Sequence, residues 1–120
     1  MESGRRSGAM SLKSRCIFLK PVTPAAASVR YLAVDLGKEG IRVNAISAGP
    51  VRTLAAAGVT GFKKMHRLFT DISPLRRPLT IDDLGNAAVY LCSDMSRGTT
   101  GEIHYVDGGY NIIGVPEVVD

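Results

Sequence analysis

The amino-acid sequence predicts an α/β fold in which amphipathic helices alternate with short strands. Residues 25–38 and 81–95 repeat apolar side chains at three- and four-residue steps, which is the period of an α-helix. Residues 41–46 and 102–107 have the short apolar or alternating pattern of strands, and each follows one of the helices. Strands that are connected through helices run in the same direction, so we expect a parallel sheet.

Length and charge indicate a single domain without a membrane span. The chain has 120 residues, and no apolar run approaches the roughly 18 residues of a membrane-spanning helix. Residues 1–20 hold five basic residues and one acidic residue, which accounts for the whole net charge of +4, because 21–120 hold ten of each. A body with balanced charge has no basic stripe, so we expect neither a nucleic-acid partner nor a membrane partner.

The cysteines and the first twenty residues bear on cellular location. Cys16 and Cys92 lie far apart with no CxxC pair, which argues against a metal site and a disulfide framework. We expect Cys92 to be a small core residue and the protein to be cytoplasmic. Residues 1–20 are predicted to be a basic tail, disordered or foreign to the fold, and their Ser/Arg-rich composition leaves an organelle-targeted origin open.

The helix predicted for residues 25–38 has two apolar sides. Thr23 is suited to cap it and Pro24 to occupy its first turn. One stripe consists of Val29, Leu32, Ala33 and Leu36, and the other of Ala27, Tyr31 and Val34. The first stripe suits packing on the sheet. The second leaves two possibilities open, a fully enclosed helix or a subunit interface.

The strand at residues 41–46 runs into the tight turn Ala48-Gly49-Pro50. Ligands of open α/β sheets bind at the carboxyl ends of the strands, which is where this turn lies. Gly49 lacks a Cβ and lets a flat ring or a phosphate approach, while Pro50 forms a stiff wall without a donor. Thr53 adds a hydroxyl just beyond. The turn is predicted to form a ligand wall, and the alternative is a turn with no such role.

Residues 59–70 repeat large apolar side chains at helical spacing, at Phe62, Met65, Leu68 and Phe69. The segment is either a core helix or a mobile helical flap that presents Phe62 and Met65 to an apolar ligand. Gly58 and Gly61 favour the flap, because each glycine costs a helix about 1 kcal/mol relative to alanine. His66 is expected to face solvent.

The acidic residues after residue 79 have a structural explanation. Thr80 is predicted to cap the helix 81–95, with Asp82 and Asp83 in its first turn, where the helix dipole favours carboxylates. We therefore do not expect these carboxylates to be catalytic. In the strand 102–107, His104 is expected to face away from the core.

Several segments resemble one family in their residue identities as well as in their order along the chain. Residues 27–37 (ASVRYLAVDLG), 41–50 (IRVNAISAGP), 54–56, 74–77, 93–98 and 100–107 closely resemble the carboxy-terminal part of bacterial NADH-dependent enoyl-acyl-carrier-protein reductases, members of the short-chain dehydrogenase/reductase superfamily. The resemblance runs from about residue 25 to 114. It implies an incomplete, carboxy-terminal portion of a Rossmann-type doubly wound parallel sheet, with about two strands and two to three helices in residues 21–120.

The resemblance also implies an activity, a cofactor and partners. The family transfers a hydride from NADH to the double bond of a trans-2-enoyl thioester on acyl carrier protein, in fatty-acid biosynthesis. The positions that match the family's cofactor-binding residues are Gly49, Pro50, Val51 and Thr53. Those that match its flexible substrate-binding segment are Ala55, Val59, Phe62 and Met65. In the intact family, the helix at 25–38 implies a homo-oligomer.

The sequence departs from the family's pattern at the glycine-rich turn and at the two catalytic positions. No GxGxxG run is present, and counting back from Val29 places the family's catalytic tyrosine and lysine at Arg15 and Val22. Arginine cannot act as a phenolic acid and valine carries no charge, so no catalytic residue is predicted and the chain alone is expected to be inactive. Two alternatives are a non-catalytic oligomerisation or interaction fragment, and another short-chain reductase, which the order Ala48-Gly49-Pro50 disfavours.

Overall fold

The structure is a computed structural model that describes residues 16–19 and 23–115. Its strands and helices confirm the predicted α/β class with a parallel sheet. The elements are β1 (Cys16–Leu19), α1 (Thr23–Gly37), β2 (Arg42–Ala48), α2 (Leu54–Ala57), α3 (Phe62–Ile72), α4 (Ile81–Cys92) and β3 (Ile103–Val106), with 3-10 turns at Asp94–Ser96 and Tyr110–Ile112. None of the helices in these residues is long and apolar enough to cross a membrane.

The three strands form one sheet in the order β1-β2-β3, with both pairs parallel. About two strands were expected, and the additional one is β1, which lies within the segment predicted to be a tail. Four apolar residues are too few for a secretory signal but are enough for a short strand beside β2. The remainder of that predicted tail, residues 1–15 and 20, lies outside the described residues.

The core lies between α1 and the sheet. Val29 and Ala33 of α1 are buried against Val43 and Ala45 of β2, and partly buried residues complete the cluster: Leu32, Leu36, Ile41 and Ile103. The predicted inner stripe of α1 is therefore confirmed. The outer stripe is exposed in this chain, since Tyr31 is 75% and Val34 is 78% accessible to solvent.

Arg42 and Asn44 tie β2 to the connection between α4 and β3. The buried guanidinium of Arg42 donates to the carbonyl oxygens of Ser93, Ser96 and Thr99 at 3.0–3.2 Å. The Asn44 amide donates to the Thr99 carbonyl oxygen and accepts from the backbone N–H of Glu102. These bonds fix where β3 begins, and with it the carboxyl edge of the sheet.

Helix α4 begins as predicted and ends three residues earlier. The Thr80 hydroxyl accepts from the Asp83 amide at 3.2 Å, and the Asp83 carboxylate accepts from the Thr80 amide at 2.8 Å, which completes a capping box. The chain turns extended at Ser93, so Met95 lies beyond the helix and is exposed. Cys92 is only partly buried, and His104 is partly buried near Tyr90, with 6.5 Å between the ring centroids.

Arg77 lies beside this cap. Its guanidinium donates to the Asp83 carboxylate at 3.1 Å on the protein surface. The Arg77 hydrogen bond, followed by that from the Thr80 backbone, lowers the pKa of Asp83 to about 2. This pairing confirms a structural role for Asp83 and gives Arg77 an acidic partner.

Candidate functional site

The candidate site is centred on the turn that follows β2. The carboxyl ends of β2 and β3 are adjacent, with Ala48 in register with Val106, and the Gly49 amide donates to the Val106 carbonyl oxygen at 3.0 Å. Val51 then forms a parallel bridge with Leu79. The turn is therefore held on both sides by backbone pairing, which makes it a fixed wall.

Gly49 lies at a close contact, and the contact is made by the chain itself. A Cβ at this position would lie 2.5 Å from Phe69 Cζ and 2.7 Å from Leu79 Cδ1. The sequence suggested that the missing Cβ would admit a ligand ring or phosphate. In the structure it admits the ring of Phe69, so packing alone requires glycine here.

Thr53 caps the helix that follows the turn. Its backbone is extended, and its hydroxyl oxygen accepts from the Ala56 amide at 3.1 Å. A hydroxyl oxygen that accepts in a cap still has its own proton to donate. The cap therefore orients an O–H group that a ligand beside the turn could accept from.

The segment after the turn is loosely packed at first and anchored later. Helix α2 contains no buried residue, and its Leu54 is almost fully exposed. Helix α3 begins after Gly61, whose φ of +80° favours glycine, and its Met65 is 51% exposed. The helix is held by Phe69, which is buried beneath Gly49. The buried Phe69 agrees with the core-helix interpretation for the end of this segment, and the flap remains a prediction for its exposed beginning.

His66 is buried, and the prediction that it faces solvent was wrong. It is 6% exposed, and its ring lies 5.7 Å from that of Phe62, one turn earlier in α3. The helical face that contains Phe62, His66 and Phe69 turns inward, and a histidine on that face is carried with it.

One cavity of about 1030 Å³ brings most of the predicted site residues together. It is lined by seven of the eight candidates: Gly49, Pro50, Val51, Thr53, Ala55, Val59 and Met65. The eighth, Phe62, lines an adjoining cavity of about 580 Å³ that shares Thr53, Ala56 and Val59 with the first. The two candidate sets therefore line one cavity and its neighbour.

Further residues line this cavity that the sequence did not indicate as site residues. Leu68 and Phe69 were expected only as apolar residues of a helix, and the others are Leu84, Asp107, Tyr110 and Asn111. The Tyr110 ring packs on that of Phe69 with 5.1 Å between centroids. Tyr110 follows β3 in a stretch without periodicity, where no pattern indicates a site. The Asp-Gly-Gly turn at 107–109, which aims Tyr110 at the cavity, is the one signal that could have found it.

Asp107 is the one carboxylate among the described residues that line this cavity. The Asp107 carboxylate accepts from the amides of Gly109 and Asn111 at 3.0 and 2.9 Å, so it fixes the turn. Within residues 16–19 and 23–115, no cluster of three or more side chains could hold a metal ion. Arg15 and Val22, the predicted positions of the family's catalytic pair, lie outside the described residues.

Comparison with known proteins gives one consistent family. The model of the family described as enoyl-(acyl carrier protein) reductase matches residues 25–111. The chain is 63% identical over 90 residues to "Enoyl-[acyl-carrier-protein] reductase [NADH] 2" of Rhizobium meliloti, covering 75% of this chain and 34% of the relative. It is 53% identical over 92 residues to the corresponding Escherichia coli enzyme, covering 77% and 35%.

Comparison with solved structures gives the same family. A Bacillus cereus enoyl-acyl carrier protein reductase with NADP+ and an indole naphthyridinone superposes with a TM-score of 0.71 at 56% identity, covering 75% of this chain and 35% of that one. An Anaplasma phagocytophilum reductase in complex with NAD gives 0.71 at 59%, covering 78% and 36%. The chain spans about a third of the length of the relatives it matches. It belongs to the enoyl-acyl-carrier-protein reductase family.

Proposed function

We propose that this chain provides the carboxy-terminal part of an NADH-dependent enoyl-acyl-carrier-protein reductase of fatty-acid biosynthesis. The substrate is a trans-2-enoyl thioester on acyl carrier protein, and NADH supplies the hydride when bound. The observation that carries the proposal is the cavity of about 1030 Å³, which joins the turn after β2 to the segment that contains α2 and α3. The relatives' names supply the reaction and the cofactor.

The turn after β2 acts as one wall of the cofactor site. Gly49, Pro50 and Val51 present a backbone wall without charged side chains, held by the bridge from Val51 to Leu79. A flat uncharged ring such as a nicotinamide suits this wall, because it needs contact and shape more than charge. The Thr53 hydroxyl lies at the edge of the wall and donates to a phosphate oxygen of the cofactor.

Ala55, Val59, Phe62 and Met65 act on the acyl chain. Three of them line the main cavity and Phe62 lines the adjoining one. An apolar chain that extends through the two cavities would contact all four residues. Helix α2 and residues 58–61 have few buried contacts, and segments of this kind adjust at low cost when a ligand binds. Met65 is unbranched and adapts to chains of different shape.

The 120-residue chain is proposed to be inactive by itself. The family's tyrosine and lysine positions hold Arg15 and Val22, neither of which can protonate an enolate or hold a ribose in the way those residues do. NADH oxidation in the presence of a crotonyl thioester, measured on the purified chain, should equal the rate without protein. Sustained turnover would contradict this part of the proposal.

A chimera tests the function itself. Residues 25–111 of this chain replace the matching segment of the Escherichia coli relative, which is 53% identical over the aligned residues. If the segment supplies a working cofactor wall and substrate segment, kcat/KM for the crotonyl thioester stays within about tenfold of the parent enzyme, a difference of about 1.4 kcal/mol. A folded chimera that binds neither NADH nor thioester would contradict the proposal.

A second role, as an oligomerisation fragment, is favoured by the outer face of α1. Tyr31 and Val34 are largely exposed on a helix whose other face packs on the sheet, and a second copy of the chain could cover them. Light scattering after size exclusion should give a mass above that of one chain, with Tyr31→Glu shifting it to the monomer. A wild-type monomer at the concentrations tested would remove this role.

The compartment that we propose is the cytoplasm. Cys92 is a free thiol in the described part of the chain, as a reducing compartment allows. Localisation of the tagged chain by fractionation tests this, and recovery in an organelle or at the cell surface would contradict it.

A further inference from the structure

A separate cavity of about 470 Å³ lies beside the start of α4. The residues that line it are Val51, Arg52, His66, Pro78, Leu79, Thr80, Ile81 and Asp82. It shares Val51 with the main cavity and Arg52 with the adjoining cavity that Phe62 lines. None of the other residues has a place in the proposed reaction.

His66 is the unusual residue in this cavity. It is 6% exposed, and no hydrogen bond within the described residues involves its imidazole ring. Of the buried side-chain nitrogen and oxygen atoms of this part of the chain, only Ser73 Oγ is both sealed and without a partner. The imidazole nitrogens are therefore not sealed, and the cavity that the ring lines gives a ligand access to them. A side chain that is this deeply buried, with no hydrogen-bond partner from the described residues, can bind such a ligand through either nitrogen.

The same cavity holds the amino-terminal end of α4, which is twelve residues long. The capping box uses the Thr80 hydroxyl and the Asp83 amide, and it leaves the amides of Ile81 and Asp82 without an intrahelical acceptor. Free amides at the positive end of a helix dipole attract anions. Asp83 does not oppose one strongly, because its charge is already paired with Arg77.

Arg52 adds a full positive charge to this set. Its guanidinium is always protonated and can donate two bonds to one carboxylate or phosphate group. The imidazole of His66 offers at least one N–H in either protonation state. The Asp82 carboxylate is the opposing charge, and it reduces the affinity without removing any donor.

We propose that this cavity is a binding site for a small oxyanion, a phosphate or carboxylate group, held by Arg52, His66 and the free amides at the start of α4. Val51, Pro78, Leu79 and Ile81 form the remaining wall, and an apolar portion of the ligand would lie against them. The site adjoins the cofactor and substrate cavities at Val51 and Arg52, but it does not depend on the proposed reductase function. Its ligand has a different position and different contacts.

The two histidines of the chain give a direct test, because His104 lies on β3 and is not part of this cavity. The chain is labelled with 13C-histidine, and His104→Gln removes one of the two imidazole signals and so assigns both. Inorganic phosphate and, separately, acetate are titrated at constant ionic strength with chloride. We expect a saturable shift of the His66 signal with at least one of the two anions and no shift of the His104 signal. An anion that gives a saturable shift shows which group the cavity binds, a phosphate or a carboxylate.

Variants of exposed residues keep the test falsifiable without disturbing the fold. Arg52→Gln should weaken binding about tenfold, because it removes one charge-assisted contact. Asp82→Asn should tighten binding a few-fold, and Arg30→Gln on α1 should leave it unchanged. Equal shifts of both histidines, no saturation with either anion, or unchanged binding in Arg52→Gln would each overturn the proposal.

Discussion

The ring of Phe69 packs directly on the backbone of Gly49, so close that a Cβ on Gly49 would lie 2.5 Å from Phe69 Cζ. This contact joins the turn that we propose as the cofactor wall to the helix that ends the proposed substrate segment. Phe69 in turn packs on Tyr110 beyond β3. Three distant parts of the chain therefore share one packing contact beneath the candidate site.

The first prediction concerns that contact. Gly49→Ala should lower the free energy of unfolding by about 1–3 kcal/mol, because a methyl group must displace Phe69 and Leu79 from a packed position. Urea denaturation of the wild-type chain and of Gly49→Ala measures this difference in the free energy of unfolding. Gly85→Ala in α4 is the matched control, since a Cβ there meets open space and should stabilise the helix by up to about 1 kcal/mol. Equal effects of the two substitutions would contradict the packing argument.

A second prediction concerns the buried guanidinium of Arg42. Arg42→Met removes the donor that serves the carbonyl oxygens of Ser93, Ser96 and Thr99. The loss of several charge-assisted hydrogen bonds from a buried side chain should cost about 2–4 kcal/mol in the free energy of unfolding. Arg30→Met, on the exposed side of α1, should change it by less than about 0.5 kcal/mol. If Arg42→Met were as mild as its control, the network would not be holding the edge of the sheet.

Asp83 gives a prediction of pH dependence. Its pKa is lowered in the folded chain to about 2 from an ordinary value of 3.8, so its contribution to stability is complete above about pH 4 and is lost as the pH falls toward 2. Asp83→Asn should therefore be less stable than the wild type at pH 7, and the two should converge near pH 2.

The carboxyl carbon of Asp83 allows a direct check by NMR titration. Arg77→Gln should raise the midpoint from about 2 toward 3.8, because the Arg77 hydrogen bond is the largest cause of the lowered pKa. A midpoint that does not move would mean that the cap, and not the ion pair, holds the carboxylate charged.

The sequence alone was sufficient where a feature depends on near neighbours. The cap by Thr80 and the inner stripe of α1 follow from spacing within one or two turns, and both are confirmed. The end of α4 was placed too late, because the periodic pattern continues to Met95 while the backbone already turns at Ser93. Helix ends depend on local backbone geometry that a periodic pattern does not encode.

Features that depend on distant contacts were missed or misinterpreted. The burial of His66 and the packing against Gly49 are set by how α3 lies under the turn, and no pattern in residues 59–70 determines this. Tyr110 lines the cavity because the turn at Asp107 directs it there. Strand β1 pairs with β2, a partner more than twenty residues away, and its four residues carry no periodic signal of their own.

We propose that one cavity holds a cofactor wall on one side and a substrate segment on the other. Separate KM values for NADH and for the crotonyl thioester, measured in the chimera with Thr53→Val and with Met65→Ala, test it most directly. We predict that Thr53→Val raises the KM for NADH about tenfold and that Thr53→Ser, which keeps the hydroxyl, restores it. Met65→Ala should raise only the KM for the thioester. Variants that shift both KM values together, or neither, would contradict the account.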